Sequence, residues 1–214
     1  VPPAAAAPPA AAAPPAAAVP PAVAAAPLLV SLIAPVYRHE PYLAACLASL
    51  HAQDWPALEL VLIDDASPDD SFALAQLICD QPRFRDRFHR IHVERQAQNR
   101  GAPATLNAAI AASTGAVIMI VNTDDLYAEG RVGACMAAIA AGHDFVFTGI
   151  ACIDGDGRRS RSAEAAGFER AAASAAAWPL LSLGFLDGNQ AISTGNFCFT
   201  RRLHDRAGPF RELA

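Results

Sequence analysis

The chain contains no lysine; all sixteen of its basic residues are arginine. A phosphate-binding loop of the Gly-Lys-Ser/Thr type is therefore excluded, and with the abundant alanine the bias reads as a property of the source genome. No Gly-x-Gly-x-x-Gly follows the first strand-like segment either, which removes the dinucleotide-binding fingerprint. The five cysteines, Cys46, Cys79, Cys135, Cys152 and Cys198, include no close pair, so zinc and dithiol redox motifs are excluded and buried free thiols in a reducing compartment are expected. No apolar run reaches the roughly 20 residues of a membrane span, and no charged, apolar, then small-residue signal pattern opens the chain. A formal charge of −5 gives no basic footprint for nucleic acid.

What is present is a substantial core: 53% of the 214 residues are apolar. Residues 1–27 alternate Pro pairs with Ala, which denies a helix its donors and offers little to bury. A disordered, partly polyproline linker is expected there, and the start at Val1 instead of Met suggests a domain cut from a longer polypeptide. Residues 28–214 are expected to form one domain.

Within that domain strand and helix patterns alternate. Leu28–Val36 and Leu58–Ile63 read as strands, Phe88–Val93 as a weaker one, and Val117–Val121 as a short apolar strand buried on both faces. Between them, Leu43, Leu47 and Leu50 recur at helical spacing after Pro41, and Leu74, Leu77 and Ile78 are expected to face inward from a second helix. Helices are expected from Pro103 to Ser113, stopped by Gly115, and from Arg131 to Ala141, followed by a strand Phe145–Ile153. This rhythm predicts an α/β fold, a mostly parallel sheet flanked by helices on both faces. After Ile153 it breaks: Asp154–Gly157 reads as a hairpin turn, Phe168–Trp178 as a helix, and Ser193–Arg206 as turn, strand and final helix.

The chemistry concentrates at strand ends. Val117–Val121 runs directly into Asn122, Thr123, Asp124 and Asp125, and open α/β sheets keep ligands in the crevice outside that edge. Adjacent carboxylates repel, so Asp124 and Asp125 either begin the next helix or meet a divalent cation. Asp64 and Asp65 repeat the arrangement after the second strand, which favours one shared pocket. The first loop, PVYRHEPY, has no glycine to bring backbone amides to a phosphate, and a metal ion is the natural substitute. His39 in that loop is equally suited to a ligand contact and to solvent, while His89 and His92 should point to opposite faces of a strand and share no metal. Arg158, Arg159 and Arg161 read as a solvated charge run.

The ordered set APVYRHEPYLAACLASLHAQ, LELVLIDDASPDDS, NRGAPATLNAAIAASTGAVIMIVNTDD, STGNFCFTRR and GPFRE resembles the GT-A-type glycosyltransferases of family 2, from about Leu28 to Glu212. The resemblance implies a Rossmann-like GT-A fold, a nucleotide-diphospho-sugar donor, a Mn²⁺ or Mg²⁺ ion, and transfer to an acceptor hydroxyl with inversion. By the same resemblance Pro35, Tyr37 and Glu40 line the nucleoside pocket, and Asp65, or else Asp64, accepts from the base. Asn99, Arg100, Gly101 and Asn107 match the loop and helix beneath the nucleotide. Asn122, Thr123 and Asp124 fill the Asp-x-Asp position, with Asn122 a ribose contact, Asp124 the main metal ligand and Asp125 a further one.

Two departures stand out. The first Asp of that motif is Asn122, and the carboxylate base that the family carries after a segment like Gly208–Phe210 is expected beyond Ala214. Asp187 is a weak substitute, and His204 and Asp205 read as solvated helix residues. The expectation is donor binding without efficient transfer. The acceptor, whether glycan, lipid-linked or protein, stays open, as in polysaccharide biosynthesis. A cytoplasmic setting is expected, or the inner face of the membrane through the rest of a longer protein. The alternatives are a non-catalytic sugar-nucleotide-binding or assembly module, and a nucleotidyltransferase.

Overall fold

The computed structural model describes residues 26–176 and 193–212. The expected linker therefore lies almost wholly outside the described residues, as do Asp187 and the end of the helix expected to reach Trp178. Six strands form one sheet: β1 (Val30–Val36), β2 (Leu58–Asp64), β3 (Arg90–Arg95), β4 (Val117–Ile120), β5 (Phe145–Phe147) and β6 (Phe197–Thr200), in spatial order β3-β2-β1-β4-β6-β5. The first four are mutually parallel, while β6 runs antiparallel to both β4 and β5.

Alternation along each central strand divides the core in two. Val30, Leu32, Ala34 and Val36 of β1, with Leu58, Leu60 and Leu62 of β2 and Val117 and Met119 of β4, face α1 (Glu40–His51), α2 (Ser71–Cys79) and, beyond the short α3 (Pro82–Arg85), α5 (Arg131–Ala140). Ile33, Val61, Ile63, Ile118 and Ile120 face α4 (Ala102–Ala112) and, past α6 (Ala163–Ala176), α7 (Arg201–Ala207). Burial on both faces is what makes these strands continuous apolar runs. The predicted two-faced α/β architecture is thus the observed one.

Several local expectations are corrected. In α2 the buried positions are Ser71, Ala75 and Cys79, a stripe four residues apart, which turns Leu77 to solvent at 66% exposure. Strand β5 stops at Phe147, because its only partner among the described residues, β6, begins at Phe197 after the 3₁₀ turn Thr194–Asn196 and offers no further extended backbone. Gly115 does not stop α4, since Ser113 is already extended (φ −94°, ψ 156°). Gly115 serves close approach instead: a Cβ there would lie 2.7 Å from the Leu29 carbonyl oxygen. That closeness lets its amide donate to Ser31 Oγ (2.9 Å) and to the fully buried Glu59 (2.8 Å) at the amino edge of the sheet.

The hairpin at Asp154 is present, with Ile153 bridging antiparallel to Arg159 and the Gly157 amide donating to the Asp154 carbonyl. Arg158 pairs with Asp156 and Arg159 with Glu169 of α6, and Arg161 is exposed. All five cysteines are free and only Cys152 is not buried. No described helix is long and apolar enough to cross a membrane.

Candidate functional site

Register sets the site. Val36 pairs with Asp64, Asp64 with Arg95, and Ile33 with Ile120, so β1, β2, β3 and β4 end at one edge. Four loops therefore meet there, carrying Tyr37–Glu40, Asp65–Asp70, Gln96–Gly101 and Asn122–Asp125. Two of them hold a non-glycine residue in the left-handed region, Arg38 (φ 60°) and Ala66 (φ 56°). Such conformations persist where surrounding contacts over-determine them. Here the Arg38 amide donates to Ser67 Oγ (3.1 Å) and the His39 amide to Ser71 Oγ (3.0 Å), locking the β1 and β2 loops together.

The paired acids divide their work. Asp64 has no exposed surface and turns away from the edge, accepting from the Ser67 amide (3.0 Å) and facing Arg95 Nε at 3.4 Å. Its Oδ2 thereby shapes the loop, while its buried Oδ1 has no hydrogen-bond partner among the described residues. Asp65 accepts the Arg100 amide (2.7 Å) on one oxygen and the Gly101 amide (2.9 Å) on the other. It thereby sets the Asn99–Gly101 loop at the edge, with Asn99 closing a turn onto the same Gly101 amide (3.2 Å).

Asn107 lies on α4, directly beyond that loop. Its amide oxygen accepts from the Phe210 amide (2.9 Å) and its amide nitrogen donates to the Phe210 carbonyl (2.8 Å). Both functions of the side chain are used to fasten Gly208–Phe210 to α4, and Glu212 then reaches Arg100 at 3.8 Å. Tyr37 and Glu40 are exposed at the edge, Glu40 accepting from the Asp70 amide (3.2 Å), and Pro35 offers its carbonyl to Thr123 Oγ1 (3.0 Å).

At the acidic motif the helix-capping reading is removed: α5 starts at Arg131 with Gly130 as its cap, well past Asp124 and Asp125. Asn122 donates to Ser193 Oγ (2.6 Å) and to Asp125 (3.3 Å), and a Cβ on Gly195 would come within 3.0 Å of its amide. Its side chain is therefore wedged against the Ser193–Gly195 turn, which Arg131 also holds by donating to the Gly195 carbonyl while lying 4.0 Å over the Tyr127 ring. Burial and the neighbouring Asp124 charge hold the Asp125 carboxyl above its ordinary pKa, against the pull of Asn122 and Arg131. Asp124 is half exposed, and His39 Nε2 lies 4.0 Å from its Oδ2.

His39 and Thr123 are the residues that sequence reading undervalued. Thr123 is fully buried and bridges Pro35 to His39. Strand periodicity gave no signal for it, because Thr123 lies past the end of β4 in the turn closed by the Asp125 amide on the Asn122 carbonyl (3.0 Å). His204 stacks on Phe199 and Asp205 is exposed on α7, away from this edge.

Among the described residues no group of three or more His, Cys, Asp or Glu converges as a metal cage. Oxygen-rich cations commonly take one or two protein carboxylates and complete their shell with phosphate and water. Asp124, open to solvent and beside Asp125, fits such a partial site.

The family model for glycosyl transferase family 2 matches residues 31–207. The chain belongs to that family. Among its relatives, the succinoglycan biosynthesis protein ExoU of Rhizobium meliloti (strain 1021) is 34% identical, over 71% of this chain and 41% of that protein. Glycosyltransferase GlyG of Streptococcus pneumoniae serotype 4 is 32% identical over 49% of this chain and 33% of its own length. The family 2 chain thus spans well under half of these relatives. S. aureus TarS 1-349 in complex with UDP superposes with a TM-score of 0.50 at 25% identity, covering 63% of this chain and 38% of that one. The mannosyltransferase PcManGT from Pyrobaculum calidifontis, in complex with GDP-Man and Mn²⁺, shares the fold with a TM-score of 0.62 at 22% identity, over 88% of this chain and 49% of that one. Family membership replaces the nucleotidyltransferase alternative.

Proposed function

We propose that this domain binds a nucleotide-diphospho-sugar at the carboxyl edge of β1, β2 and β4 and takes part in inverting transfer of the sugar to an acceptor hydroxyl. The observation that carries the reading is the convergence of the Asp65-fastened loop and the open Asp124 carboxylate at one edge, in a family 2 chain whose relatives include a UDP complex.

The nucleoside lies over the Tyr37–Glu40 and Asn99–Gly101 loops, where Asp65 both orients the loop and offers remaining acceptor capacity to a base N–H. The diphosphate lies toward Asp124 and Asp125. A bound Mn²⁺ or Mg²⁺ would stabilise the charge that grows on the departing diphosphate. Asp124 would hold that ion, with Asp125 beside it. Asn122 keeps the Ser193–Gly195 turn against the motif and can exchange its Ser193 partner for a ribose hydroxyl. These acids hold the leaving group, and the proton of the acceptor goes to a carboxylate outside the described residues. The acceptor belongs to cell-envelope or protein glycan assembly by analogy with the relatives.

Calorimetric titration with UDP- and GDP-sugars, with and without Mn²⁺, tests this reading. Metal-dependent binding of one class is expected; no binding by any donor under either condition would refute it.

A further inference from the structure

We infer that Thr194 reads the donor sugar: its hydroxyl lies where a hydroxyl of the sugar ring would hydrogen-bond, which makes it a specificity-determining residue. The inference rests on the proposed donor site and adds a sugar subsite to it.

The order of the strands carries the argument. With the nucleoside over the β1, β2 and β3 loops and the diphosphate at Asp124 after β4, the sugar lies one glycosidic oxygen beyond the outer phosphate. The β1 side being taken, it continues along the edge to the next strand, roughly 4.8 Å further. That strand is β6, and because it runs antiparallel to β4 it meets the carboxyl edge with its beginning, the turn Ser193–Asn196.

The turn is held in place without a ligand. Asn122 donates to Ser193 Oγ (2.6 Å), the Gly195 amide closes onto the same oxygen (3.1 Å), and the Thr148 amide donates to the Asn196 carbonyl (3.2 Å). Arg131 holds the Gly195 carbonyl, and a Cβ on Gly195 would meet the Asn122 amide at 3.0 Å. These contacts sort the side chains. Ser193 Oγ already accepts twice, Gly195 has no side chain, and Asn196 is buried. Thr194 is exposed, and among the described residues its hydroxyl is engaged only by a long contact, 3.4 Å, to Asn122 Oδ1. Well-made O–H···O bonds lie at about 2.5–3.0 Å, so a ligand can take this hydroxyl over without breaking a strong bond. It offers one donor and acceptor lone pairs on a fixed support beside the acidic motif, which is what discrimination among sugar hydroxyls requires.

Calorimetric titration of the full chain in Mn²⁺ tests this, with UDP, GDP, their sugar conjugates, and analogues of the preferred conjugate that each lack one sugar hydroxyl. Thr194→Val, its fold checked by thermal melting, should bind bare UDP or GDP as wild type does and the preferred conjugate about tenfold more weakly, while Thr194→Ser keeps most of the affinity. One deoxy analogue should bind wild type about tenfold more weakly yet lose nothing further in Thr194→Val, which pairs the missing hydroxyl with Thr194. Weakening shared equally by the bare nucleotide, weakening equal for every analogue, or unchanged affinity for the preferred conjugate overturns the assignment while leaving the donor site standing. Wild type that binds no nucleotide, with or without a sugar, overturns both.

Discussion

Within each adjacent pair of carboxylates at the edge, neighbouring residues point different ways. Asp64 is spent on the Ser67 turn and Asp65 on two amides of the next loop, so replacing either leaves donors unmatched inside the protein. Asp65→Ala should therefore weaken donor binding and cost about 1–3 kcal/mol of stability, with both visible in ligand-dependent thermal melts. Asp124 has no such structural duty among the described residues. Asp124→Ala should leave the unliganded melting temperature nearly unchanged while removing the Mn²⁺-dependent part of donor affinity, read by calorimetry. The edge itself was legible in the sequence, because apolar runs that break into acids announce strand ends. Which acid turns inward was not, since that depends on loop hydrogen bonds such as Ser67 to Asp64. Thr123 and His39 escaped notice for a related reason: their link spans 84 positions and appears only once β1 and β4 lie side by side.

Among the elements, α4 does more than cover the sheet. Through Asn107 it fastens Gly208–Phe210, and Arg100 at its entrance reaches Glu212. Asn107→Leu should release that segment, giving faster amide exchange at Phe210 and Glu212 with little change in β1 or β2; unchanged exchange would show the clamp to be incidental. At the opposite end of the sheet, Glu59 is buried, and hydrogen bonds from Ser31, Thr114 and Gly115 outweigh the burial that would raise its pKa, so it is lowered from 4.5. A carboxyl lowered in the folded state stabilises above its unfolded pKa and loses that contribution as pH falls through the folded value. Stability should accordingly decline as pH drops below 4.5, and Glu59→Gln should remove that component at a cost of about 2–4 kcal/mol at neutral pH by urea denaturation. Helix and strand existence was legible from periodicity, and the end of α4 to within one residue, whereas the length of β5 was not. That length is decided by where β6 begins.

For the molecule as a whole, a two-sided core holds one edge on which loops from four parallel strands converge, and the family 2 match covers the elements that build it. The ordered motifs made this architecture legible, because each sits at a strand end or helix start whose neighbours the topology fixes. The central claim is that Asp124 anchors a cation between this edge and a nucleotide diphosphate. Anomalous diffraction at the manganese edge, from crystals grown with Mn²⁺ and the nucleotide selected by calorimetry, tests it most directly. A manganese peak is expected in coordination distance of the Asp124 carboxylate and of the diphosphate. A peak bound elsewhere, or a nucleotide ordered at this edge with no manganese at Asp124, would contradict it.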